Sequence, residues 1–215
     1  MDRKTVWIIV FLVGAYVVCQ LIADVAATRF VKLAGVTMPA GTFIFALTFT
    51  LRDMIHKRLG REWARAAIVT AAGFNLFLSG YLWTMSKLAA PGWFGLADSW
   101  NAIFEVVPAI VLGSIGAELV SEFTDTEVYH FWRNRFTNWP QWTRVVASNL
   151  VSIPLDSFVF SVLAFALLPP LFGADAMGLW DAITRVTGGQ ILYKASVTLV
   201  SLPGIYMVKE QALLE

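Results

Sequence analysis

Asn149, Ser152 and Asp156 recur at i, i+3 and i+7 in the stretch SNLVSIPLDSF, a spacing that sets all three on one face of a helix. The flanking sequence is apolar enough for that face to lie inside a membrane, where an ionisable group must meet a cavity or another polar group. Pro154 sits among the three, removes one backbone hydrogen bond and can open a carbonyl toward the same space. A second stripe, Thr187, Gln190, Lys194, Thr198 and Ser201, follows helical spacing in TRVTGGQILYKASVTLVS. Lys194 has apolar neighbours for more than a turn on each side, too deep to snorkel to an interface. Its natural partner is Asp156, in a buried ion pair that a ligand could break. A structural pair that only specifies packing is the alternative, as interhelical hydrogen bonding alone is for Asn149, Ser152 and Gln190.

A third set of groups is acidic. Glu118, Glu122 and Asp125 stand at i, i+4 and i+7, with Gly113, Gly116 and Ala117 as small residues for close helix contact. Glu118 is the deepest of the three; Glu122 and Asp125 approach a helix end, as do Arg52 and Asp53, and all four could be solvated termini. Asp24 lies within another apolar run, and Glu105 falls near an outer end. Enzyme chemistry has little to build on. His56 and His130 lack metal-ligand spacing, and there is no Walker sequence, dinucleotide fingerprint or serine elbow. Asp24 with Asp156 is a faint candidate for an intramembrane aspartyl pair. The sequence therefore predicts no catalytic residues, no cofactor and no metal.

The elements that must position these groups follow from composition. Of 215 residues, 58% are hydrophobic and only 14% charged, with a mean hydropathy of +0.67, against about half apolar and a quarter charged in a soluble domain. The predicted class is an all-α membrane protein, a single domain over residues 1–215 built as a bundle of six transmembrane helices. The spans are 5–27, 39–54, 66–87, 101–122, 145–170 and 181–208; the second is short and tilted, broken or re-entrant. Barrel strands are disfavoured because the runs are continuous, not alternating. The first run is too long for a signal-peptide core. Cys19, the one cysteine, reads as a buried packing residue.

Eleven Lys and Arg residues fall on one side of this arrangement (Arg3, Lys4, Arg52, Lys57, Arg58, Arg61, Arg65, Arg133, Arg135, Arg144, Lys209) and four on the other (Arg29, Lys32, Lys87, Arg185). Cytoplasmic loops carry the surplus of cations, so both termini are expected on the cytoplasmic side of the inner membrane. The nine tryptophans lie near predicted span ends or in loops. The aromatic, basic segment 125–142 is expected along the inner headgroup surface, not against nucleic acid.

Three stretches, GTFIFALTFTLRDMIHKRLG at 41–60, SNLVSIPLDSFVFSVLAF at 148–165 and LYKASVTLVSLPGIYMV at 192–208, carry a resemblance to the queuosine precursor transporters, also grouped as vitamin uptake transporters. It covers almost the whole chain. The matching positions are Gly41, Thr42, Phe43, Phe45 and Asp53; Asn149, Ser152, Asp156 and Ser157; and Lys194. The chain departs from the family at Ala46, where a proline is usual, at Arg52 beside Asp53, and at Glu122, which aligns with a glutamine ahead of Asp125.

The resemblance implies uptake of 7-deazaguanine compounds: the 7-cyano form, its 7-aminomethyl form or queuine. A guanine-like ring offers N1–H and an exocyclic amine to one carboxylate, with Asp156 or Glu122 expected in that role, and its acceptors suit Asn149, Gln190 and Lys194. The expected machine is a secondary or facilitated importer with a midplane cavity between spans one, two, four, five and six. Its two three-helix halves would be inverted repeats, with proton coupling through Asp24, Glu118 or Glu122. A substrate-capture subunit of an ATP-driven transporter and a non-transport intramembrane protein are the rival readings. A homodimer through the small-residue face of span four is a further expectation.

Overall fold

The computed structural model describes residues 3–136, 139 and 141–207. The side chains of Asp53, Glu122 and Asp125 lie outside the described side chains.

Helix α1 (Arg3–Ala26) is 24 residues long, about 36 Å at 1.5 Å per residue, and so matches a bilayer core. A β-hairpin follows, β1 (Phe30–Leu33) and β2 (Val36–Pro39), antiparallel with Phe30 opposite Pro39 and Leu33 opposite Val36. Its two-residue turn takes positive φ at both positions, 51° at Ala34 and 85° at Gly35, as a tight turn between twisted strands requires. Helix α2 (Thr42–Leu59) therefore starts after the hairpin, and the expected second span beginning at residue 39 is corrected accordingly. Its apolar portion is the short segment Thr42–Arg52.

Helix α3 (Arg61–Ser86) runs back. The expected fourth span divides in two. The short α4 (Ala97–Phe104) precedes the 29-residue α5 (Val107–Arg135), and Pro108 at the start of α5 accounts for the break. Helix α5 continues through Arg135 without interruption, so the first part of segment 125–142 extends the helix and is not a separate surface-lying stretch. Helix α6 (Gln141–Ser161) contains Pro154, widens into a π-helical segment at Val162–Leu167, and closes with a 3₁₀ turn, Pro169–Phe172. The chain returns through α7 (Leu179–Asp181) and a second π-helical segment, Ala182–Thr187, into α8 (Gly188–Met207).

Val6–Ala26, Glu62–Ser86, Ala97–Ser121 and Val146–Leu167 are four stretches long and apolar enough to cross a membrane. The distribution of polarity agrees. Phe11, Phe77, Leu150 and Val200 are largely exposed on the outside of the bundle, whereas Gln20, Asp24, Asn75, Asp156, Gln190 and Lys194 are buried within it. Water would favour the reverse; lipid favours this. The protein is a multi-pass membrane protein.

Small residues set the closest helix approaches. A Cβ on Gly113 would lie 2.8 Å from the Ala164 backbone nitrogen, and one on Gly116 would lie 3.0 Å from Leu163. Gly113 and Gly116 on the small-residue face of α5 thus pack against the end of α6 within the same chain. Cys19 is half-buried, not fully enclosed as expected.

Candidate functional site

A cavity lies where α1, α2, α5, α6 and α8 converge. Each wall is set by helical periodicity. Helix α6 supplies Asp156 and Phe160, and α8 supplies Gln190 and Lys194, one turn apart in each case. Helix α1 brings Asp24, α2 brings Thr42 and Phe45, and α5 brings Ser114 and Ala117. Two glycines permit this convergence. A Cβ on Gly41 would lie 2.0 Å from the Ala23 carbonyl oxygen, and one on Gly189 would lie 2.2 Å from that of Thr37. The first contact pins the start of α2 against α1 beside Asp24. The second seats the hairpin on α8 next to Gln190.

The predicted pair is present. Lys194 Nζ donates to Asp156 Oδ2 at 2.5 Å, with both side chains 3% exposed. Ser121 Oγ donates to Asp156 Oδ1 at 3.4 Å, and the Lys194 ammonium lies 4.7 Å from the centre of the Phe45 ring, a favourable cation–π placement in a desolvated site. Gln190 Nε2 donates to Ser161 Oγ at 2.8 Å, and Ser161 in turn donates to the Ser157 carbonyl at 2.7 Å. Asp24 is 3% exposed. Ser114 lines the same cavity, and Asp24 Oδ2 has no partner among the described residues.

A second, smaller cavity continues toward the α2–α3 end of the bundle and is lined by Tyr16, Phe45, Thr48, Phe49, Arg52, Glu118, Ser121 and Asp156. Phe45 and Asp156 line both cavities and stand where the two adjoin. Glu118 Oε1 accepts hydrogen bonds from Tyr16 at 2.8 Å and from Gln20 at 3.4 Å, and Arg52 stands over the Phe49 ring.

Of the expected site residues, Asp24, Asp156, Gln190 and Lys194 meet in the larger cavity, and Glu118 joins Asp156 in the smaller. Asn149 and Ser152 line neither of these two cavities, although they share the Asp156 helix. Asp53 and Glu122 are candidates whose side chains lie outside those described. Sequence patterning alone did not single out Tyr16 and Gln20, which stand at i−8 and i−4 from Asp24 and complete a stripe along α1. The four-residue period was there to find, but a tyrosine and a glutamine in an apolar helix draw less notice than a charge. Ser114, Ser121 and Ser161 escape notice in the same way.

Residues 39–208 match the family described as "Putative vitamin uptake transporter". The chain belongs to this family. A protein of Bacillus subtilis (strain 168) named "Probable queuosine precursor transporter" is 27% identical over 201 residues, covering 92% of this chain and 82% of its own length. No solved structure matches. A vitamin uptake transporter of this kind handles a small-molecule substrate in a membrane, and the buried polar cavity among apolar helices fits that setting. Among the described residues no group of three or more histidine, cysteine or acidic side chains could hold a metal ion.

Proposed function

We propose that this member of the vitamin uptake transporters imports queuosine precursors of the 7-deazaguanine class across the inner membrane for transfer RNA modification. The observation that carries the transport reading is the pair of cavities stacked along the bundle that share Phe45 and Asp156 in their linings. A binding subunit needs one pocket; a carrier needs a site reachable in turn from each side. The substrate class rests on the similarity to the Bacillus subtilis protein, and the cavity chemistry supports it. Aromatic faces at Phe45 and Phe160 suit a flat heterocycle, and carboxyl, amide and ammonium groups suit its hydrogen-bonding edges.

On this reading α8 and the short α2 complete a six-span bundle with both termini cytoplasmic. Substrate breaks the Asp156–Lys194 pair, and Phe45 then shifts. The experiment is queuosine content of transfer RNA in a bacterium that cannot make the precursor, expresses this chain and is fed the 7-cyano or 7-aminomethyl base or queuine. Restoration by at least one is expected; failure by all three, with the protein present in the membrane, ends the substrate claim. Uptake by the purified chain alone in vesicles distinguishes a carrier from a subunit that needs a separate ATPase.

A further inference from the structure

Spacing and resemblance leave the substrate-reading carboxylate between Asp156 and Glu122, and the geometry points elsewhere. Around the larger cavity, Asp156 has both oxygens engaged, Oδ2 by Lys194 and Oδ1 by Ser121. Glu118 lines only the smaller cavity and accepts from Tyr16 and Gln20. Asp24 is different. It lines the larger cavity, is 3% exposed, and keeps Oδ2 without a partner among the described residues. A buried acceptor left without a donor is costly and calls for a partner from outside the protein, a ligand or an ordered water.

We propose that Asp24 reads the donor edge of the heterocycle, accepting from the ring N–H and the exocyclic amine of a 2-amino-4-oxopyrimidine ring. This deepens the deazaguanine reading and rests on it. The two donors lie side by side on one edge of such a ring, and a carboxyl group offers two oxygens with several lone pairs to meet them. Lys194 and Gln190 line the same cavity, and the ammonium, with three N–H donors and one given to Asp156, is the group to meet the ring carbonyl. The arrangement discriminates by polarity: a base lacking the amine leaves part of the Asp24 carboxyl unsatisfied, and a 6-amino purine presents a donor to Lys194. Rejection of an analogue that lacks one buried hydrogen bond is stronger than rejection by shape alone.

The test uses the purified full chain in lipid nanodiscs and two probes, 7-cyano-7-deazaguanine and the same base without its exocyclic amine. Wild type is expected to prefer the amine-bearing base by about 10- to 100-fold, and Asp24→Asn to shrink that preference to about threefold or less. Equal weakening for both bases, with their ratio intact, would mark Asp24 as structural and overturn the assignment. Because the variant could fail to fold, a second measurement uses wild type: carbodiimide modification of Asp24, read by mass spectrometry. Protection by the amine-bearing base and not by its analogue supports the proposal, and modification unaffected by either overturns it. Wild type that binds neither base overturns the deazaguanine reading together with this one; binding with an unchanged ratio in Asp24→Asn overturns this one alone.

Discussion

Removing the Lys194 ammonium leaves the Asp156 carboxylate buried with the Ser121 hydroxyl, 3.4 Å from Oδ1, as its remaining partner among the described residues. Removing Asp156 strands an ammonium against the Phe45 ring. Breaking a buried pair from one side costs about 3–5 kcal/mol, because the other charge is left uncompensated, whereas neutralising both sides is far milder. Lys194→Ala and Asp156→Ala are accordingly expected to unfold well below wild type in detergent, and the double variant Asp156→Asn with Lys194→Gln to recover most of that loss. Uptake should stay abolished in all three. A double variant that transported normally would reduce the pair to scaffolding. This pairing is legible in the amino-acid pattern, since a lone lysine and a lone aspartate on polar stripes of two apolar helices have few other partners. The Asp24 stripe with Tyr16 and Gln20 is less legible because only one of its members carries charge.

At the level of elements, the hairpin 30–39 and the start of α8 are joined through a contact that admits no side chain. A Cβ on Gly189 would overlap the Thr37 carbonyl at 2.2 Å, backbone against backbone. Gly189→Ala should therefore displace the hairpin or the helix, lower thermal stability and impair uptake. Gly73, inside α3, has nothing within 4 Å of its would-be Cβ. Gly73→Ala should leave uptake unchanged and stabilise by about 0.5–1 kcal/mol, as removal of a mid-helix glycine does. Thermal unfolding and vesicle uptake of the two variants check both outcomes. Such contacts are invisible in a sequence, where both glycines read as breaks in an apolar run. The hairpin is hidden for a related reason: its few residues fall between two longer apolar segments, and its turn uses Ala34 with Gly35, not Asn with Gly. The π-helical segments leave no compositional trace, because VLAFAL is ordinary helical sequence. The α4–α5 break, by contrast, follows from Pro108.

For the whole molecule, the charge count predicts which end faces the cytoplasm. Cys19 is the only cysteine, so a cysteine-free background needs one replacement. In that background Gly92→Cys, in the exposed loop between α3 and α4, should react with an impermeant maleimide on intact cells. Glu62→Cys, exposed at the other end of α3, should react only after permeabilisation. The opposite pattern would invert the topology and the direction assigned to both cavities. The apolar character of the bundle is written in the composition directly, whereas the depth of the cavities depends on which helices converge and is not.

The ion pair at the larger cavity also has an electrical consequence. Moving one elementary charge through the full membrane potential involves about 2.3 kcal/mol per 100 mV. Lys194 and Asp156 carry opposite charges that touch, so displacing them together shifts almost no net charge, while separating them creates a dipole on which the field can act. A carrier that moves the pair as a unit is thus largely blind to voltage. One that opens by parting the pair couples its opening to the energised state of the cell.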